Sequence, residues 1–228
     1  MKAGVADRRR YGELCPIALG LDVIGHRWAL LVIRELFAGP KRFTDLEEGL
    51  PGIGSSVLAA RLRRLEQQGL LTRHQLPRPA PAVVYRLTPR GAALEPVMVG
   101  LAGWGASYLV GGDKDLARRG RWLLQAMSAA AGPPPDGIQT VNFVLDGEES
   151  HVRVIGGRLA ARDGLGRDSS TTVRGSVHDL YQVAIAPVRS AAASAGFEIE
   201  GQSEAADRML DHLITGFQQA AESWRSKA

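Results

Sequence analysis

The sequence predicts a mixed α+β fold in two domains, residues 1–111 and 112–228. A chain of 228 residues exceeds the usual size of one domain. Helical patterns with one short hairpin fill the first half, whereas the second half has several alternating apolar runs and then helical ones. The first domain has 15 Lys and Arg against 9 Asp and Glu, and the second has 13 against 15. This basic excess predicts a polyanionic partner for the first domain, with a merely basic surface as the alternative.

Two short helices come first in the chain. Pro16 lies at the start of one helix, whose apolar face consists of Ile17, Leu21 and Ile24. From Trp28 to Phe37, apolar residues at helical spacing predict a second helix, which Gly39 ends. We expect the second helix to be scaffold.

The next two helices and the turn between them predict a helix-turn-helix. Thr44 is expected to cap the first of these helices, because Glu47 follows at the spacing of a capping box. The turn covers residues 49–54. In the second helix, Leu58, Leu62 and Leu65 fall within one narrow arc, which we expect to face the core. The opposite side of that helix carries small and basic residues, namely Ser56, Ala60, Arg63, Arg64 and Gln67.

This outward side is the predicted DNA-contacting surface, because the second helix of such a motif enters the major groove. Ser55 and Ser56 allow the backbone to approach phosphates at the positive end of the helix. We expect Arg64 to contact phosphate, whereas Arg61 and Arg63 are open between bases and phosphate. A solvated basic helix face is the alternative. The predicted DNA-contacting residues are Arg42, Ser55, Ser56, Ala60, Arg61, Arg63, Arg64 and Arg78.

A wing and a long helix complete the first domain. Residues 70–76 and 82–87 have strand character, and the Pro-rich tip between them projects Arg78 toward DNA or simply closes a hairpin. Thr88 and Pro89 then predict the start of one long helix. We expect its apolar stripe to form a homodimer interface, with packing against the second domain as the alternative. The stripe consists of Leu94, Met98, Leu101, Trp104 and Tyr108.

A set of residues spread over positions 11–109 carries a family resemblance. The set is Cys15-Pro16, Leu21 to Gly25, Trp28, Arg34-Glu35-Leu36, Gly39, Arg42-Phe43, Leu46, Pro51-Gly52-Ile53, Leu58, Arg61-Leu62, Leu65-Glu66, Gly69-Leu70, Tyr85 to Thr88, Gly91 and Trp104-Gly105. These residues resemble the HxlR-type regulators, a winged-helix group related to MarR proteins. The resemblance implies a homodimeric transcription factor that binds double-stranded DNA at a near-palindromic operator, and we expect repression.

Cys15 is the single cysteine of the chain, which excludes an intrachain disulfide and fits a reducing compartment. A thiol at a helix start near Arg10 has the setting of an oxidisable thiolate, and some relatives in the family sense oxidants this way. A redox-responsive regulator is therefore an alternative function, and a buried inert cysteine is the plainer interpretation. No apolar segment follows the basic run at residues 8–10, so we expect a cytoplasmic protein without a membrane partner.

The second domain reads as a helix, an antiparallel meander, and then helices around one further strand. A helical pattern runs from Leu116 to Ala130, four alternating runs follow between residues 141 and 173, and helical segments are expected at 177–185 and 188–195. A strand at 197–201 precedes a last helix. Over residues 113–220 this order resembles the sterol-carrier-protein type of lipid-binding domain.

That second resemblance implies an apolar cavity between sheet and helices, which is a site for a lipophilic small-molecule effector. The candidate lining residues are Trp122, Met127, Phe143, Tyr181, Phe197, Met209, Leu213 and Phe217. Taken singly, each of these positions is also typical of an ordinary core. A lipid carrier in which the winged module is only an interaction domain is a further alternative.

The sequence has no recognisable signature of catalysis or of a cofactor site. The five histidines are scattered, and no pair has the spacing of metal ligands. The sequence contains no phosphate-binding Gly-Lys-Ser/Thr loop and no nucleophile-elbow pattern. We therefore expect no metal, no cofactor and no enzymatic activity.

Overall fold

The computed structural model describes residues 10–77, 82–106, 119–185 and 196–225. Contacts divide the chain into two compact units, residues 1–93 and 94–228, and each unit is described by itself. The boundary expected from the sequence, between residues 111 and 112, lies outside the described residues and stays a prediction. The contacts group residues 94–106 with the second unit rather than with the first.

The first unit is a winged helix-turn-helix. Its sheet has the order β1-β3-β2, and both pairings are antiparallel. The four helices predicted before the wing, the turn and the wing strands are confirmed to within a residue or two. The elements in chain order are α1 (Pro16–Ile24), α2 (Ala29–Phe37), β1 (Lys41–Arg42), α3 (Phe43–Gly49), α4 (Ser55–Gln67), β2 (Leu71–Leu76), β3 (Ala82–Leu87) and α5 (Pro89–Ala92).

The core of this unit lies between α2, α3, α4 and the small sheet. Leu58, Leu62 and Leu65 of α4 are all buried, as their spacing predicted. The buried apolar residues of α2 are Ala29, Val32, Ile33 and Leu36. In contrast, Ala18 is the only buried residue of α1, whose predicted apolar face is open, with Ile17 74% and Leu21 43% exposed.

Trp28 links α1 to α2 through a left-handed backbone conformation. Its φ is 76°, which few residues with a side chain adopt, and it occupies the N-cap position of α2. The indole lies beside the turn between α3 and α4. Its Cη2 atom is 3.9 Å from the position that a Cβ would occupy if one were added to Gly52. The ring thus fills space next to the turn that precedes α4.

The start of α3 differs from the prediction, and the expected Thr44 cap is wrong. The helix begins earlier, at Phe43, because the carboxylate of Asp45 accepts a hydrogen bond from the backbone N–H of Arg42 at 2.8 Å. Glu47 instead accepts a hydrogen bond from the hydroxyl of Ser55. The acidic side chain expected at the start of α3 therefore joins α3 to the start of α4.

The expected single long helix after Thr88 is also wrong, because it is two helices. Thr88 does cap the first, α5, by accepting a hydrogen bond from the Gly91 N–H at 3.1 Å. That helix ends at Ala92, and a new one begins at Glu95. Pro96 explains the break, since proline lacks an N–H and its ring clashes with the carbonyl four residues earlier.

The second unit consists of one five-stranded sheet with helices packed on it. Strand order is β6-β5-β4-β7-β8. Met127 of α7, Phe143 of β4 and Leu213 of α9 belong to one continuous apolar core. The elements are α6 (Glu95–Ala106), α7 (Gly120–Ala130), β4 (Val141–Leu145), β5 (Glu148–Ile155), β6 (Arg158–Asp163), β7 (Thr172–Gly175), α8 (Val177–Ile185), β8 (Glu198–Glu200) and α9 (Ser203–Arg225).

The predicted antiparallel meander is confirmed for β4, β5 and β6 but is wrong for β7. That strand pairs with the opposite side of β4 and runs parallel to it. The chain therefore crosses the sheet between Asp163 and Thr172. The hydroxyl of Ser169 donates a hydrogen bond to the carbonyl of Thr140 at 2.8 Å, which joins the connection to the residue just before β4.

Asn142 holds the middle of this crossing connection. The residue is only 6% exposed, and its side-chain oxygen accepts a hydrogen bond from the Gly166 N–H at 2.8 Å. A buried N–H without an acceptor is costly, so this bond favours the crossing over other paths. The expected helix at 188–195, Tyr108 and Leu116 lie outside the described residues.

In the described part of the chain, no single helix is both long and apolar enough to cross a membrane. The pair α1 and α2 reaches the required length and composition only when taken together, and a bend of 77° separates the two helices.

Replacing Asn142 with Leu should destabilise the protein by about 1 to 3 kcal/mol, because the buried Gly166 N–H loses its acceptor. Urea denaturation of the full chain measures this loss. Thr140→Val is the matched control, since it removes an exposed hydrogen bond to Asp168 and should cost less than about 0.5 kcal/mol. Equal losses in the two variants would contradict the role given to Asn142.

Candidate nucleic-acid interface

The outward face of α4 is small at its start and cationic further along. Ser55, Ser56 and Ala60 are exposed in the first half of the helix, and Arg63 is exposed in the second half. The helix begins after Gly54, the N-cap residue, which provides no side-chain cap. A helix start with short side chains lets an anionic oxygen approach the first backbone N–H groups.

The two serines differ in their surroundings. The hydroxyl of Ser55 donates its hydrogen to the carboxylate of Glu47 across the turn, which ties the end of α3 to the start of α4. Ser56 is exposed at the next position. Ser55 and Ser56 are both predicted to contact DNA. Ser56 is the one whose hydroxyl is exposed and does not bond to Glu47.

The three arginines of α4 also differ from one another. Arg63 is exposed, whereas Arg61 and Arg64 are partly buried. One Nη of Arg64 donates a hydrogen bond to the backbone carbonyl of Asp22 at 3.3 Å, so that side chain reaches the end of α1. Helical spacing placed Arg64 on the outward side but gave no sign of this contact.

Arg42 lies at the junction of the small sheet and α3. Its side chain is exposed, and its backbone pairs with Val84 of β3. Arg78, the cation predicted at the tip of the wing, lies outside the described residues.

The wing strands carry further exposed cationic and polar side chains that the sequence reasoning missed. Arg73 and His74 of β2 are exposed, as is Arg86 of β3. The guanidinium carbon of Arg73 lies 6.0 Å from the ring centre of Tyr85, the residue opposite it in register. The alternation of polar and apolar residues along the two strands is the sequence signal for these side chains, since half-exposed hairpin strands place polar residues outward.

Cys15 occupies the N-cap position of α1 and is partly exposed. Hydrogen bonds from the backbone N–H groups of Ala18 and Ile17 lower the pKa of its thiol. Large apolar side chains surround it in sequence, with Tyr11 60% and Leu14 98% exposed. The setting favours the thiolate more than an ordinary exposed cysteine does.

The candidate ligand-lining residues of the second unit lie mostly in one core. Five of them are 3% exposed or less, namely Met127, Phe143, Met209, Leu213 and Phe217. Tyr181 and Phe197 are partly buried against that core. Trp122 is the exception, since it is partly exposed and the guanidinium carbon of Arg119 lies 5.9 Å from its ring.

Ser128 is a buried polar residue on α7 that the sequence reasoning missed. It is 4% exposed, and its hydroxyl has no hydrogen-bond partner among the described residues. It follows Met127 directly in the chain, so a polar group adjoins the apolar core there. Within the ranges that the structure describes, no three His, Cys, Asp or Glu side chains are grouped so as to hold a metal ion.

The HxlR-like helix-turn-helix family matches residues 23–112 of this chain. The regulator sll1512 of Synechocystis sp. is 39% identical over 98 residues, which cover 43% of this chain and 73% of the relative. YodB of Bacillus subtilis, also a helix-turn-helix transcriptional regulator, is 37% identical over 101 residues, which cover 44% of this chain and 90% of YodB. A solved structure of the reduced form of YodB is 36% identical and matches 44% of this chain and 100% of that one, with a TM-score of 0.39.

These matches account for less than half of the chain, and the family to which they point consists of transcriptional regulators, which are not enzymes. With a winged helix-turn-helix in its first unit and a relative 39% identical over most of that relative's length, the chain belongs to the HxlR-like helix-turn-helix family.

Proposed function

We propose that this protein is a homodimeric repressor whose affinity for a DNA operator is changed by a lipophilic small molecule in its second unit. The observation that carries DNA binding is the outward face of α4, where exposed Ser56 and Ala60 precede exposed Arg63. Small side chains permit close approach to a groove, and an arginine on the same face pairs with phosphate or guanine.

Exposed cations on neighbouring elements extend this face. Arg42 lies where the sheet meets α3, and Arg73 and Arg86 lie on the wing strands. Phosphate neutralisation supplies the sequence-independent part of DNA affinity, so these cations support binding without selecting a sequence. Arg61 and the tip residue Arg78 are proposed to contribute in the same way.

Two open apolar faces support a homodimer. On α1, Ile17 and Leu21 are exposed. On α6, Val97, Leu101 and Trp104 are 49%, 44% and 49% exposed and recur at the spacing of one helix face. Exposed apolar patches of this kind mark interfaces, and a twofold pair of chains presents two α4 helices to half-sites about one DNA turn apart.

Arg63→Ala should weaken operator binding and lower the slope of log K against log salt by about 1, because one phosphate contact is lost. Fluorescence anisotropy measures the affinity and its salt slope on a genomic fragment that the purified protein has captured. Titration of the same fragment should give two chains per operator. Arg153→Ala, which removes an exposed cation from the sheet of the second unit, is the matched control and should leave the slope unchanged.

Absence of operator affinity in the wild-type protein, even at low salt, would reject this function. It would favour a lipid carrier in which the winged module serves as an interaction domain.

The proposal of a lipophilic effector rests on the second unit. Its order of α7, four strands, α8, β8 and α9 agrees with the order that resembles sterol-carrier-type domains, although β7 is parallel to β4 where an antiparallel meander was expected. Apart from Trp122, the candidate lining residues belong to one apolar core or pack against it, and they come from α7, β4, α8, α9 and the residue before β8. A ligand in that core contacts several elements at once and changes how they pack.

Met209→Phe should reduce uptake of a fluorescent long-chain fatty acid, because it adds volume to the buried core. Val154→Phe, at a site 39% exposed, is the matched control and should leave uptake unchanged. The same fatty acid should change operator affinity of the wild-type protein by about 5- to 150-fold. Operator affinity unaffected by the fatty acid and by cell-extract lipids would remove the effector from the proposal.

Thiol chemistry at Cys15 is the second candidate for regulation, and the lowered pKa of a partly exposed thiol favours it. As pH is raised, the rate of alkylation by iodoacetamide should reach its midpoint at a lower pH than it does for an ordinary exposed cysteine in a reference peptide, because the pKa of the thiol is lowered. In the same protein, peroxide should weaken operator binding, and Cys15→Ser should abolish that response. A midpoint at or above the ordinary value, with a peroxide response that survives the substitution, would eliminate this candidate.

A further inference from the structure

The C-terminal end of α1 receives a hydrogen bond from Arg64 of α4, the proposed recognition helix. The last four carbonyls of a helix lack intrahelical partners and carry the negative end of its dipole. In α1 the carbonyl of Leu21 accepts a hydrogen bond from the Gly25 N–H at 2.8 Å, and the carbonyl of Asp22 accepts one from Arg64 at 3.3 Å. The last turn of α1 has no basic residue of its own, so Arg64 supplies the cation there.

We propose that Arg64 is a positioning residue, which caps α1 and fixes the recognition helix against it, instead of a residue that contacts DNA. This inference rests on the proposed DNA-binding function and refines it. It assigns Arg64 a different role from the phosphate contact expected from the sequence.

The weak burial of α1 gives this contact its importance. Ala18 is the only buried residue of that helix, so little apolar packing holds it within the first unit. The hydrogen bond from Arg64 therefore adds a polar attachment to a helix with few buried side chains in its own chain. Arg64 is partly buried and directs one Nη to the carbonyl of Asp22, whereas Arg63, the next residue, is exposed.

Asp22 also connects the segment in front of α1. Its carboxylate accepts a hydrogen bond from the backbone N–H of Tyr11 at 3.0 Å. Cys15 lies between these two residues, at the N-cap of α1. Asp22 is therefore bonded both to the segment that leads to Cys15 and, through its carbonyl, to Arg64 of α4.

Hydrogen exchange of the full-length protein without DNA tests the contact itself. Arg64→Ala should speed exchange of the amides between Leu19 and Gly25 by a factor on the order of five, because α1 loses its cap. Arg64→Lys keeps a cation and a donor and should restore much of the protection, and Arg63→Ala should not change it. Unchanged exchange of α1 in Arg64→Ala would overturn the proposal.

The salt dependence of operator binding tests the distinction between positioning and contact. Arg64→Ala should weaken binding while leaving the slope of log K against log salt at its wild-type value, whereas loss of a phosphate contact lowers that slope by about 1. A slope lowered in Arg64→Ala as it is in Arg63→Ala would refute the positioning role. If the wild-type protein binds no operator, the proposed function fails, and the exchange experiment alone decides whether Arg64 caps α1.

Discussion

Burial of one leucine stripe decides which side of α4 faces outward. Leu58, Leu62 and Leu65 are each 1% exposed or less, and full burial of one leucine contributes about 1.5 to 3 kcal/mol. Rotating the helix about its axis would return all three to water. The cationic side is therefore directed outward by the apolar side, and the candidate DNA surface depends on residues that never meet DNA.

A different constraint organises the second unit. Because β7 lies beside β4 and parallel to it, the chain must cross the sheet after β6, and that crossing is made with polar bonds. The side-chain oxygen of Asn142 accepts a hydrogen bond from the Gly166 N–H in the crossing connection. At an exposed position water could accept this bond, but here a buried strand residue does so.

Local sequence patterns were sufficient to predict most helices and strands. They were insufficient to predict contacts between parts of the chain that are distant in sequence. The leucine spacing of α4 and the Thr88 cap were readable because both depend on residues within one or two turns. Pro96 was visible in the sequence, but the apolar stripe running past it favoured one helix. The parallel pairing of β7 and the Arg64 contact with Asp22 join residues far apart in the chain, which periodicity cannot report.

The left-handed Trp28 has a practical consequence. Its indole is beside Gly52, in the turn that leads into α4, while its backbone joins α1 to α2. Indole emission is sensitive to the polarity and packing of its neighbours, so one of the four tryptophans is an intrinsic optical reporter of that turn. Rearrangements between α1 and α4 are thus open to spectroscopy without any attached label.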